Sequence, residues 1–181
     1  MRYLSFSFTT IVLAAVNVAL IANAQQYRDC AVDLSTIDSY VKDVASRVSR
    51  WQPSDGYGAA LRIHATEQKV EGLIEEATST CKFGSEISTS QADTILNGMD
   101  PLVSNIESAL SAVIQKKPAF DSVPLVTPLV SSDIQHLYAK TYGLENTLLS
   151  DVPDSRREKA TTYMNRINSA FSAVYRTYGL Y

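Results

Sequence analysis

The stretch SQADTILNGMDPLVSNIESALSAVIQK, residues 90–116, decides the fold. Its large apolar side chains recur every three or four positions, at Ile95, Met99, Leu102, Ile106, Leu110, Val113 and Ile114. That spacing places them on one face of an α-helix, whereas a half-buried strand would alternate at every second residue. The stretch therefore predicts a long amphipathic helix, the longest in the chain.

Two prolines and two lysines bear on the expected course and end of this helix. Pro101 lies inside the apolar pattern and removes a backbone donor, which predicts a kink. The alternative is a pair of helices broken near Asp100. The run Lys116-Lys117-Pro118 predicts the end of the helix, because the ammonium groups complement the negative end of the helix dipole and proline blocks continuation.

Four further segments show the same period. The first predicted helix has Ser35 as its N-cap and an apolar stripe that ends at Trp51, and the others span about residues 59–80, 129–149 and 156–178. Glycine and proline lie between them, and no segment alternates like a strand. Short connections between long helices predict an all-α, up-down bundle of about five amphipathic helices with antiparallel neighbours.

The first 24 residues read as a secretory signal peptide. Arg2 is followed by a mostly apolar run over residues 4–21, and Ala22-Asn23-Ala24 supplies small residues for cleavage after Ala24. The alternative is an uncleaved membrane anchor, which the serines, threonines and Asn17 in the run disfavour. We expect a secreted protein with one domain over residues 25–181 and no further membrane-spanning segment.

The two cysteines, Cys30 and Cys81, predict a disulfide, because an even count in a secreted chain indicates pairing. The bridge would join the segment before the first helix to the end of the second. A reactive thiol pair is the alternative, but neither a Cys-x-x-Cys spacing nor an adjacent base supports it.

Nothing in the sequence points to catalysis, a cofactor or a metal. His64 and His136 are the only histidines, and they lie on different predicted helices without a matching set of ligands. The carboxylates of the second helix, Glu67 among them, are assigned to its solvent face, and the adjacent pair Glu75-Glu76 points apart. The net charge of −3, without a basic run, argues against a nucleic-acid partner.

Composition leaves open whether the bundle is hollow. Its helices are rich in Ala, Ser, Thr and Val, and small side chains either leave an apolar void or let the helices approach and close it. Composition alone favours the closed core. Arg156-Arg157 begins the last helix, where positive charge is unfavourable, so a carboxylate partner is expected from the protein or from a bound fatty acid.

Aromatic residues near the bundle ends have two interpretations. Trp51 is expected to be a core or end-plug residue rather than a membrane-inserting one. For the C-terminal tyrosines, plain packing is favoured over a role at the mouth of a cavity; they are Tyr175, Tyr178 and Tyr181.

The chain resembles the fungal hydrophobic surface-binding protein family, which includes the antigenic cell-wall galactomannoproteins. The resemblance covers residues 33–178. It rests on the run Lys116-Lys117-Pro118-Ala119-Phe120 after the third helix, on Asp133-Ile134 in the fourth, on the turn at Pro153, and on the closing segment INSAFSA, residues 167–173. Many cell-wall members carry a Ser/Thr-rich tail or lipid-anchor signal, which is not seen here, so wall association stays open.

The resemblance implies a non-enzymatic protein that binds fatty acids or other lipids in an apolar cavity between helices, adsorbs to hydrophobic surfaces, or does both. From the apolar stripes we expect the lipid-binding residues to be Val44, Val48, Val70, Leu102, Ile106, Leu110, Leu137, Leu144, Ile167, Phe171 and Val174. The alternative function is a secreted protein-interaction module, an inhibitor or a host-directed effector. A filled core and a large exposed apolar patch would support that alternative.

Overall fold

The computed structural model describes the backbone of residues 8–180 and the side chains of residues 25–180. Five α-helices follow one another: α1 (Phe8–Arg50), α2 (Gly56–Thr80), α3 (Thr89–Asp121), α4 (Val126–Asp151) and α5 (Asp154–Tyr178). A 3-10 turn, Pro53–Asp55, joins the first two. No strand occurs over this range, which confirms the all-α bundle. The predicted signal peptide, residues 1–24, lies outside the described side chains.

The helices alternate in direction along the chain and form a closed ring in the order α1, α2, α4, α5, α3. Next-but-one helices therefore pack side by side and run parallel. Asp38 of α1 pairs with Asn105 of α3, and twelve or so residues further on Lys116 of α3 reaches the carbonyl of Trp51 at the end of α1. The most extensive interface, α1–α3, is therefore between parallel helices. Of the antiparallel neighbours that we expected, α1–α2 packs as extensively as the parallel pair α3–α5, whereas α4–α5 is a small interface.

The expected N-cap at Ser35 is wrong. Ser35 lies deep inside α1, and its carbonyl accepts a hydrogen bond from the hydroxyl of Ser39. The apolar stripe does not stop there, because Cys30 and Leu34 continue it upstream and are buried in the core. Burial of this longer apolar face keeps the chain helical at Ser35, although serine favours helix caps over helix interiors.

The expected end of α3 at Lys116-Lys117-Pro118 is also wrong, and so is the break near Asp100. The helix runs unbroken through Pro101 and Pro118 as far as Asp121. Phe120, in the last turn, is buried against Trp51 with ring centroids 5.0 Å apart. The packing of Phe120 on Trp51 offsets the loss of the backbone hydrogen bond that Pro118 cannot donate.

The disulfide forms between Cys30 and Cys81. Its first anchor differs from our expectation, since Cys30 lies within α1 rather than before it, while Cys81 caps the end of α2. Gln26, one turn from Cys30, donates to the carbonyls of Thr80 and Lys82 at the same place. The crosslink therefore ties one end of the antiparallel α1–α2 pair.

Candidate functional site

Two small apolar cavities lie along the axis of the ring. The first has a volume of about 70 Å³ and draws its wall from all five helices. Its lining is aliphatic except for one phenylalanine, one threonine and one glutamate: Ile37, Val41, Val44, Glu67, Val70, Ile74, Ile106, Ala109, Leu110, Leu137, Thr141 and Phe171. A void on the axis is what a ring of helices with small facing side chains leaves behind.

The second cavity, of about 80 Å³, continues towards the Trp51 end of the bundle. It is lined by Val48, Ala60, Ile63, His64, Val113, Phe120, Leu129, Val130, Asp133 and Ile134 together with five residues that also line the first cavity. The shared residues are Val44, Glu67, Ala109, Leu110 and Leu137. They form a waist between two parts of one elongated apolar space.

Seven of the eleven residues that we expected to bind lipid line these cavities: Val44, Val48, Val70, Ile106, Leu110, Leu137 and Phe171. The other four, Leu102, Leu144, Ile167 and Val174, lie in the packed core and line neither cavity. Helical periodicity identifies the inward face of a helix, but it does not tell which inward side chains meet another side chain and which face a void.

The one acidic residue at the waist, Glu67, is only 3% exposed, contrary to its expected place on a solvent face. Neither of its carboxyl oxygens accepts a hydrogen bond from the protein. Burial is the largest cause of its raised pKa, about 10, followed by a side-chain hydrogen bond to Glu71, which only the protonated acid can donate, and by the charges of Asp133 and Glu71. Glu67 is therefore a neutral carboxylic acid at physiological pH, facing an apolar space.

Two polar side chains adjoin it in the second cavity. His64 Nδ1 lies 2.8 Å from Asp133 Oδ1, a hydrogen-bond distance, and 3.6 Å from Glu67 Oε2. Burial raises the pKa of Asp133, and the neighbouring His64 opposes that shift. We call His64, Glu67 and Asp133 the polar trio.

The polar trio could also hold a cation. Each of the three residues offers one ligand atom, and these atoms lie within 4.8 Å of one another. Imidazole with two carboxylates suits several divalent ions. The hydrogen bond between His64 and Asp133 already satisfies two of the three groups, so within the polar trio only Glu67 receives no hydrogen bond.

Helical periodicity does not predict the polar trio, because its members come from two helices. A signal was present: Glu67 occupies a position of the apolar series Ile63, Val70, Ile74 and Ala77, at spacings of three and four. A carboxylate in the middle of such a stripe is buried whenever the stripe is buried.

The remaining candidates have structural partners. Arg156 binds the carboxylate of Asp93, and Arg157 contacts Asp154, so the protein itself supplies the carboxylates at the start of α5. The Tyr178 hydroxyl donates to the carbonyl of Val113. Trp51 is buried, as expected of an end plug. Tyr181 lies outside the described residues.

A family model for hydrophobic surface binding protein A matches residues 28–150. The chain belongs to the hydrophobic surface binding protein A family. No match was found among curated proteins. In the part of the chain that is described, no helix combines the length and apolar character needed to cross a membrane.

Solved structures share the fold. The chain is similar to Afmp4p in complex with palmitic acid, with 27% identity and a TM-score of 0.79, over 84% of this chain and 99% of that one. Ligand binding domain 1 of Penicillium marneffei MP1, complexed with arachidonic acids, shows 13% identity and a TM-score of 0.75, over 86% and 98%. Domain 2 of the same protein, complexed with multiple arachidonic acids, shows 12% identity and 0.75, over 87% and 97%.

Proposed function

We propose that this chain is a secreted, non-enzymatic protein that holds a fatty acid or another lipid along the axis of its helix ring. The observation that carries the proposal is the elongated apolar space, to which every helix contributes. The similarity to Afmp4p, a protein solved with palmitic acid, supports the same conclusion. Secretion is supported by the disulfide and by the leader-like residues 1–24.

An acyl chain needs more room than the two cavities offer. An engineered void of roughly 150 Å³ holds one benzene, and ligand sites usually measure about 300–1,000 Å³. The bundle must therefore widen when the lipid enters, and the waist at Leu110 and Leu137 must open. Each methylene moved from water into the cavity contributes about 0.8 kcal/mol, so a long chain offsets the cost of that separation.

The bundle can widen at the lowest energetic cost along the interfaces of α4 with α3 and α5. Helix α4 packs well against α2 but makes few contacts with α3 and α5. Lys140 of α4 is paired with Glu75 of α2, and Asp133 with His64, so α2 and α4 are held to each other. We infer that the α2–α4 pair moves as a unit and that the ring opens along α4–α5.

The alternative of a protein-interaction module has weaker support. It requires a filled core, whereas this core is hollow at its axis. Within residues 25–180, few large apolar side chains are exposed, and they lie on different helices or in a turn: Val32, Leu61, Leu125 and Tyr142. Single exposed apolar residues are normal and do not define a docking surface.

The proposal is tested by filling the waist. Ala109→Leu places extra carbons in both cavities, whereas Ala112→Leu adds the same atoms in an outer groove beside Ser49 and Ser108. After removal of lipid, palmitate titration should show binding to the wild type and to Ala112→Leu, and at least tenfold weaker binding to Ala109→Leu. Wild-type protein without palmitate uptake, or equal affinity in all three proteins, would overturn the proposal.

A further inference from the structure

We propose that the polar trio, His64, Glu67 and Asp133, is the head-group site of the cavity, and that it selects a neutral head group that both donates and accepts hydrogen bonds. A protonated carboxylic acid and a long-chain alcohol have this chemistry. A carboxylate and an ester lack it. The inference rests on the proposed function, since it requires that a lipid enters the cavity.

The buried carboxyl of Glu67 is the main evidence for a head-group site. Its side chain is almost completely buried, neither oxygen accepts a hydrogen bond from the protein, and it borders both cavities. A buried polar group without a hydrogen bond is costly, and native structures rarely keep one without a functional reason. A ligand that donates to one oxygen and accepts from the protonated one would satisfy both.

The surrounding charges decide which head groups fit. On α2 the charged groups near Glu67 are His64 and Glu71, and on α4 they are Asp133, His136 and Lys140. The cavity residues from α1, α3 and α5 are all apolar. Asp133 and His64 pair with each other at 2.8 Å, which leaves no free cation at the cavity wall to receive a carboxylate.

A fatty carboxylate bound beside the polar trio would be shifted towards its protonated form, as Glu67 is. It would lose its hydration in an apolar space and face the carboxylate of Asp133, and both effects favour the neutral form. Burial has already raised the pKa of Glu67 to about 10. An ester offers acceptors only, so it cannot satisfy the oxygen of Glu67 that needs a donor.

The test compares hexadecanol, methyl palmitate and palmitate as competitors for bound N-phenyl-1-naphthylamine in the wild-type protein. At pH 7.5 we expect hexadecanol to bind at least tenfold more tightly than methyl palmitate. Between pH 6 and 8, palmitate should weaken by close to tenfold per pH unit while hexadecanol changes less than twofold. Hexadecanol thus controls for any effect of pH on the protein itself.

Two variants separate the head-group role from packing. Glu67→Leu keeps the volume but removes the polar group, and it should bring hexadecanol and methyl palmitate within twofold of each other. Glu145→Leu removes another buried carboxyl, one that lines neither cavity, and should keep the wild-type ratio. Loss of the preference in both variants would mean that Glu67 has no particular role.

The possible failures are distinguishable. If none of the three lipids displaces the probe, the proposed lipid-binding function itself fails. If all three bind the wild type equally, or palmitate binding is independent of pH, lipid binding stands and the head-group assignment is overturned.

Discussion

Glu67→Gln should make the folded protein more stable, by an amount that grows with pH. The substitution keeps the shape of the side chain and its neutral state, but it removes the proton that Glu67 must hold in the fold. Burial raises the folded-state pKa of Glu67 from 4.5 to about 10. The prediction isolates a single group, because every other titrating residue is present in both proteins.

The raised pKa of Glu67 determines whether the stability of the fold rises or falls with pH. Below pH 4.5 the carboxyl is protonated in both the folded and the unfolded chain, and its contribution to stability is fully present. Above pH 4.5 the unfolded chain releases the proton while the fold retains it, so stability falls until the pH passes the folded-state pKa. The slope is about 1.4 kcal/mol per pH unit, and from pH 5 to pH 7 the wild type should lose about 3 kcal/mol relative to Glu67→Gln.

Urea denaturation of lipid-free protein at pH 5, 6, 7 and 8 measures this difference. The disulfide must stay oxidised, and lipid must be absent because a ligand that binds only the fold adds its own stabilisation. Equal differences in unfolding free energy between the two proteins at pH 5 and pH 8 would refute the reasoning. That result would mean that Glu67 is ionised in the fold and that water or an ion reaches it.

Three further predictions concern the frame around the cavity. Replacing both Cys30 and Cys81 by Ser should lower the unfolding free energy by about 4 kcal/mol, the chain-entropy value for a loop of this length, as measured by urea denaturation; an unchanged midpoint would contradict the role of the crosslink. Trp51→Ala should cost about 3–5 kcal/mol, because the side chain is buried and packs on Phe120; a loss below 1 kcal/mol in the same assay would show that the end plug is dispensable. Leu125→Gly should stabilise the fold by about 0.5–1 kcal/mol and so raise the melting temperature slightly, because Leu125 is 65% exposed and has a φ of +70°, which glycine adopts without strain. A lower melting temperature for this variant in calorimetry would contradict the strain at this turn.

Sequence periodicity was sufficient for the helices and for the inward faces that they present. The stripe from Ile95 to Ile114 predicts α3 correctly, and seven of the eleven expected lipid-binding residues line the cavities. Helix ends were harder to predict, because tertiary burial overrides local signals. Burial of Phe120 stabilises the part of α3 that continues past Pro118, and burial of Leu34 stabilises the helical conformation of α1 around Ser35.

The polar trio and the void itself depend on how helices meet, which no single segment encodes. His64 and Glu67 are one turn apart on α2, but Asp133 joins them only because α2 and α4 pack in parallel. The order of helices in the ring follows from the pairing of all five, and the sequence offers several orders with the same apolar faces. A cavity is the space that this packing leaves unfilled, so the number of apolar residues in the sequence does not predict it.

The most direct test of the account is an NMR measurement of contacts between bound palmitate and the protein's methyl groups. A lipid bound along the axis of the ring should give nuclear Overhauser effects from its acyl chain to Val44, Leu110 and Leu137 at the waist of the cavity. Contacts confined to exposed methyls such as Val32 and Leu125, with none at the waist, would contradict it. Palmitate would then be adsorbed on the outside of a bundle whose interior stays closed.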